Sequence, residues 1–185
     1  FVVIANTQVE DPAVSVAGYR RVLSARFQDG RFFFTEDQKT PLWDRVKRLE
    51  TMAFHRALGT TFEKVERVVK LAFWLARELG YPAMASGDPF ALASAPRPAA
   101  DAGGWALARA GYLMKADLTT AMVFEFPELQ GVMGRAYAER AGEPADVAKA
   151  IEEHYLPKNA GDALPVGDRV ESILSLIHIS EPTRL

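Results

Sequence analysis

The 185-residue sequence contains no cysteine, which excludes disulfides, thiolate metal sites and cysteine nucleophiles. No apolar run approaches the roughly 20 residues of a membrane-spanning helix. Positive charge is not in excess: 22 Lys and Arg against 24 Asp and Glu leave a net charge of −2. Contact with a polyanion must therefore use a local patch rather than an overall basic field. Only three histidines occur, none followed by Asp, and no nucleotide-binding motif is visible. Phe1 is not an initiator and no basic segment precedes the apolar FVVIA, so no signal peptide is read; the chain is expected to begin within a longer protein.

What is present fits one globular domain: 49% hydrophobic and 25% charged residues can bury a core at this length. Phe1–Ala5 reads as a single β-strand. A lone strand is not stable, so its sheet is expected in a preceding domain that is truncated here, with residues 1–10 as its end. Asp11-Pro12 has the N-cap and first-turn proline of a helix start. That helix carries Val16, Tyr19, Val22, Leu23 and Phe27 on one side, and Gly30 is expected to interrupt or kink it. Phe32–Phe34 could stack on bases, although phenylalanine is more often core. A short helix over Pro41–Leu49 and a turn at Met52–His55 follow.

The clearest helix spans Thr60–Leu79. Phe62, Val65, Val68, Val69, Ala72, Leu75, Ala76 and Leu79 trace one face, Thr60 and Glu63 form a capping-box pattern, and Gly80 and Pro82 end it. Lys64, Arg67 and Lys70 form either a basic strip or a solvated face paired with Glu63 and Glu66. Met84–Gly104, rich in Ala, Pro, Gly and Ser, reads as a surface loop without function. Trp105–Lys115 resumes as helix. After Gly142-Glu143-Pro144, a further helix presents Val147, Ala148, Ile151 and Tyr155, and Pro157 ends it. His154, beside Glu152 and Glu153, is read as exposed; His55 is read as a hydrogen-bonded loop residue.

The densest block of unusual choices is Lys115–Arg135. Asp117 and Glu125 sit in apolar surroundings. Their spacing of eight suits acid–base work only on an unbroken helix; the alternative is structural, with Asp117 capping or pairing and Glu125 near a helix start. Pro127 and Glu128 are expected to open a new helix with Leu129, Val132, Met133, Ala136 and Tyr137 on one face. Gly131 and Gly134 then fall inside it, at about 1 kcal/mol each against Ala, as though another backbone comes close.

KADL followed by EFPELQGVMGRAYA resembles the beta subunit of bacterial two-subunit glycyl-tRNA synthetase. The resemblance extends over RVLSARFQDGRFFFTEDQKTPL (Arg21–Leu42), LETMAFHRALGT (Leu49–Thr60) and AIEEHYLPKNAGDALP (Ala150–Pro165), and Tyr19 stands where the family pattern usually has Asn. It implies a fragment of the ligase, contributing tRNA binding and subunit assembly to an enzyme of class II that joins glycine to its tRNA. The partners implied are an alpha subunit that activates glycine and tRNA(Gly), in an α2β2 tetramer, in the cytoplasm and away from membranes. ATP and Mg would serve the whole enzyme; no cofactor, metal site or catalytic residue is expected within this fragment.

The same resemblance implies a mostly α fold over residues 11–173, related to HD-type metal phosphohydrolases. In those enzymes His and Asp residues hold the metal. Here Ala116 precedes Asp117 where a His-Asp pair would stand, so a degenerate, metal-free version of that fold is expected. The alternatives are an HD-like phosphohydrolase and a helical scaffold without ligand. The family pattern breaks off after Ile173, where another helix is expected. Leu174–Arg184, LSLIHISEPTR, has a codon reading that matches a transposon-end sequencing adapter, so residues 174–185 are expected to be a non-native tail.

For RNA contact, two clusters compete. Glu63 and Glu66 already neighbour Lys64, Arg67 and Lys70. Arg20, Arg21, Arg26 and Arg31 have only Asp29 near them in the sequence and lead into Phe32–Phe34, which makes them the favoured backbone-contact candidates. Asp117, Glu125, Pro127, Glu128, Gly131 and Gly134 are assigned structural roles within the family motif.

Overall fold

The computed structural model describes residues 1–80, 88–99, 104–166 and 170–180, and within them the chain is mostly helical. Helix α1 (Pro12–Asp37) starts where Asp11 Oδ1 accepts the Ala13 N–H at 2.8 Å. Helix α2 (Leu42–Arg45) continues as a 3₁₀ turn over Val46–Thr51. A two-stranded antiparallel hairpin follows, β1 (Ala53–His55) and β2 (Gly59–Thr60), with Ala53 opposite Thr60. The remaining helices are α3 (Thr61–Glu78), α4 (Pro89–Ser94), α5 (Gly104–Leu113), α6 (Ala121–Glu125), α7 (Val132–Arg140), α8 (Ala145–Glu153) and α9 (Val170–Ser180).

The core forms around α5. Its Trp105, Ala106, Leu107, Ala108, Ala110 and Leu113 are all buried, against α3, α4, α8 and α9. Small residues on α5 let its neighbours approach: a Cβ on Gly111 would lie 2.9 Å from Val69 Cγ2. Helix α3 contributes Val65, Val68, Val69, Ala72 and Ala76 from one face. Its capping box forms in full: Thr60 Oγ1 accepts the Glu63 N–H at 3.2 Å, and Glu63 Oε2 accepts the Thr60 N–H at 2.6 Å. Each fully buried valine contributes about 1.5–3 kcal/mol, so this face outweighs the cap, which is worth about 1 kcal/mol.

Several expectations are corrected. Phe1–Ala5 forms no strand; its apolar side chains are exposed and no ladder partner lies beside them among the described residues. Gly30 does not interrupt α1, which runs through it; a Cβ there would sit 4.0 Å from Met122 Cε, where α6 packs. Of the three aromatics, Phe32 is exposed while Phe33 and Phe34 are half-buried against the core. Part of the expected 84–104 loop is helix α4, capped by Asp88 accepting the Phe90 N–H at 3.0 Å. Pro82, residues 81–87 and residues 100–103 lie outside the described residues.

The Pro127 helix is also different. Pro127–Leu129 is a single 3₁₀ turn, and α7 begins only at Val132 because Gly131 takes φ +81°. Gly131 is thus a left-handed corner that favours glycine, not a helix-interior residue. Val132 consequently turns outward. Beyond Ile173, α9 is built partly from the expected tail: Val170, Ile173, Leu174 and Ile177 bury one i, i+3, i+4, i+7 stripe, a spacing that packs as helix whatever its origin.

At Gly134 side chains rather than another backbone come close. An added Cβ would stand 2.7 Å from Ile151 Cγ2 and 3.0 Å from Asp117 Oδ2. Gly134→Ala is expected to lose about 1–3 kcal/mol through overpacking, despite Ala gaining about 1 kcal/mol in helix propensity. Chemical denaturation measures this; a rise in stability would mean that Ile151 yields the space.

Candidate functional site

The polar centre of the body is Asp37, the last residue of α1, buried beside Arg45 of α2. Arg45 Nη2 donates to Asp37 Oδ1 at 3.2 Å and to the Asp37 carbonyl at 2.8 Å; its Nε and Nη1 reach the carbonyls of Thr40 and Thr119 at 3.1 and 3.2 Å. Asp37 also accepts the N–H groups of Ala121 and Met122, both at 2.9 Å, and the Tyr137 hydroxyl at 3.1 Å. With Thr120 Oγ1 accepting the Val123 N–H, the first three free donors of α6 are satisfied from outside the helix. Burial and the Asp37 carboxylate push the Tyr137 hydroxyl upward, so it stays a neutral donor. Sequence reasoning missed Asp37 and Arg45. The signal available was an acid three and four residues after Phe34 and Phe33, on their helix face.

Asp117 lies one turn from this centre and is buried. Its Oδ2 accepts the Gly131 N–H at 2.6 Å, at the start of α7, which is the capping role expected of it. Burial pushes its carboxyl up, while the N–H groups of Gly131, Gly134 and Leu118 and the charge of Lys115 pull it down. One Asp117 oxygen, Oδ2, accepts a backbone donor, and Ala116 before it carries no ligand atom. Among the described residues no three His, Asp or Glu side chains gather as a metal would need. Glu125 stays apart from Asp117; it is exposed and bonded to Arg26, so the two do not form an acid–base pair.

His154 is fully buried, contrary to its expected exposure. Its Nδ1 lies 2.7 Å from the Ile151 carbonyl, and Nε2 has no partner among the described residues. The α8 face that buries Val147 and Ile151 carries His154 inward one residue past the helix end. Burial, then the charge of Lys115, hold its pKa well below the ordinary value of 6.5. Lys115 Nζ sits 3.8 Å above the Tyr155 ring. His55 is the last residue of β1 rather than a loop residue, and it is hydrogen-bonded, with Nδ1 accepting the Ala57 N–H at 3.1 Å.

The four arginines of α1 do not form one strip. Arg20 and Arg31 line a shallow groove with Leu23, Phe27 and Phe1. Arg21 lies about 100° further round the helix. Arg26 points to α6: its Nη1 is 3.0 Å from Glu125 Oε1, and its guanidinium stands 4.7 Å from the Phe126 ring centre. The competing cluster dissolves too. Lys64 is buried under the Phe54 ring at 4.1 Å, and Arg67 Nη1 donates to the Leu58 carbonyl at 2.9 Å. No helix among the described residues is long and apolar enough to cross a membrane.

A sequence profile of the glycyl-tRNA synthetase beta subunit matches residues 1–178. Among curated proteins, the chain is similar to a glycine--tRNA ligase beta subunit of Myxococcus xanthus, 45% identical over 190 residues that cover 98% of this chain and 24% of that protein. A Geobacter sulfurreducens protein of the same description is 48% identical over 168 residues, 91% of this chain and 22% of its own length. One from Neisseria gonorrhoeae is 38% identical over 185 residues, 95% and 24% respectively. The chain spans about a quarter of the length of these relatives.

Two outcomes follow from the buried groups. Asp37→Asn leaves the Arg45 guanidinium buried without its counter-charge and is expected to cost about 3–5 kcal/mol; denaturation of the variant showing a loss below 0.5 kcal/mol, the scale of an ordinary surface change, would remove the pair from this role. His154 has a folded pKa depressed below 6.5, so its contribution is present above pH 6.5 and is lost as pH falls below it. His154→Gln should gain stability relative to the parent as pH falls from 7.5 to 5, read from paired urea titrations; parallel curves would place His154 in solvent.

Proposed function

Since the chain belongs to the glycyl-tRNA synthetase beta subunit family, we propose that it serves the ATP-dependent joining of glycine to its tRNA, as a helical tRNA-binding and assembly unit. In this reading the complete catalytic centre lies elsewhere, ATP and Mg act there, and the partners are an alpha subunit and tRNA(Gly) in a cytoplasmic α2β2 enzyme of class II. Residues 11–173 are the HD-like helical unit. Asp117 occupies the former metal position as a helix cap.

The observation that carries RNA contact is the groove on α1: Arg20 and Arg31 flank an exposed Phe27 on a helix that reaches beyond the body. Arg20 and Arg31 are about 16 Å apart along the helix axis by backbone rise, a spacing that suits phosphates on a backbone, and an aromatic ring between them offers a face to a base. Arg26, engaged with Glu125, supports the α1–α6 contact instead; Arg21 remains a flanking cation. The donor set around Asp117 lends no support to a metal phosphohydrolase reading, and a ligand-free scaffold is distinguished by the RNA experiment.

In the complete two-subunit enzyme, Arg20→Gln with Arg31→Gln should flatten the salt dependence of tRNA binding. Each lost phosphate contact lowers the slope by roughly 0.7–0.9. Glycine activation with ATP should stay intact. An unchanged slope would return both arginines to a solvated helix face.

A further inference from the structure

The last turns of α1 and α7 and the start of α2 border a cavity of about 250 Å³, which shares no residue with the arginine groove. Tyr137 and Leu42, both buried, line it together with Pro41 and Ala141. Asp37 lines it too, but its acceptors are used: Oδ1 takes Arg45 and Ala121, and Oδ2 takes Met122 and Tyr137. Two carbonyls that end α1 are also taken, Asp37 by Arg45 Nη2 and Phe34 by Gln38 Nε2. What stays open is Arg140, with Gln38 Oε1 and the Thr40 hydroxyl. The Arg140 guanidinium stands 5.0 Å from the Phe34 ring centre, and its bond to Gln38 Oε1 is long, at 3.4 Å. It has no ion pair, and the Thr40 hydroxyl no hydrogen bond, among the described residues. A guanidinium carries five N–H donors, so most of those on Arg140 are unused.

We propose that this cavity is a binding site for a single nucleotide, with its phosphate on Arg140 and its base in the apolar part of the pocket. The charge selects the phosphate. Arg140 is the one cation lining the cavity, and a planar guanidinium fork matches a phosphate in two parallel hydrogen bonds. The lining selects the base. Pro41, Leu42 and Ala141 give a flat ring an apolar surface, while the Thr40 hydroxyl and Gln38 Oε1 are the few polar groups that fix its edge. The hydroxyl both donates and accepts, as a base edge requires. The volume sets the limit: it lies just under the roughly 300–1,000 Å³ of sites for drug-sized ligands, which leaves room for one such unit. Arg140 is already stacked on Phe34, itself stacked on Tyr137 at 5.5 Å, so little side-chain freedom is lost on binding. A free mononucleotide and one unpaired nucleotide of a bound RNA present this same chemistry.

Equilibrium dialysis of radiolabelled AMP against the full-length beta subunit tests this. The parent should bind AMP, and Arg140→Gln should weaken that binding at least about tenfold, the scale of lost hydrogen bonds to a charged group. Ala141→Glu, a change at an exposed position, sets a carboxylate beside the guanidinium and should weaken binding as much; it guards against a folding defect at Arg140→Gln. Adenosine, which lacks the phosphate, should bind the parent as weakly as AMP binds Arg140→Gln. Identical AMP isotherms for the parent and both variants would overturn the proposal. So would adenosine binding equal to that of AMP, or no AMP binding to the parent up to about 10 mM. Competition with tRNA(Gly) then assigns the source: displacement of AMP names a nucleotide of bound RNA, and undiminished AMP binding names a free mononucleotide. Neither readout uses Arg20 or Arg31, so the result is separable from that of the α1 groove.

Discussion

The buried ion pair of Asp37 and Arg45 is the constraint on which the helical body depends. Removing two charges from water is costly, and their mutual attraction offsets that only when the remaining hydrogen-bonding capacity is used. Here it is. Asp37 accepts from Arg45, Ala121, Met122 and Tyr137, and Arg45 donates to three carbonyls besides. The donors and acceptors come from α1, α2, the KADLTT turn, α6 and α7. The pair therefore fixes the relative placement of five segments, and each has one position in which the network is complete.

Seen from this centre, the unusual block from Lys115 to Gly134 has a physical account. The turn before α6 is held from below by Arg45 on the Thr119 carbonyl and from above by Thr120 on the Asp117 carbonyl. Asp117 then reaches across to the Gly131 corner. Gly131 must adopt φ +81° to present that N–H, and Gly134 must lack a Cβ for α7 to lie against Asp117 and Ile151. A buried acid that would suit a metal with His neighbours serves here as a helix cap, because the surrounding groups are backbone donors and a lysine rather than ligands.

Helix α1 stands in contrast to this hydrogen-bonded centre. Its last turns join the body through Phe33, Phe34 and Asp37, with Phe34 stacked on Tyr137 at 5.5 Å. Its first two-thirds present apolar side chains on more than one side to solvent.

The sequence by itself determined the features whose causes are local. The Asp11-Pro12 start of α1, the capping box and apolar face of α3, the corner at Gly142 and the inward face of α8 were legible because their signals lie within a few residues of one another. The family was legible for the related reason that Lys115–Tyr137 is a long, uncommon pattern. Tertiary structure alone decided the rest. Asp37 meets Ala121, Met122 and Tyr137 across 84 to 100 residues of chain, and no local pattern encodes such a meeting. His154 follows two acids and reads as exposed, yet the fold carries it into the core; Gly131 reads as helix, yet the carboxylate of Asp117 makes it a corner. Burial and pairing of a polar side chain depend on what distant segments bring to it, and a single sequence does not state where those segments go.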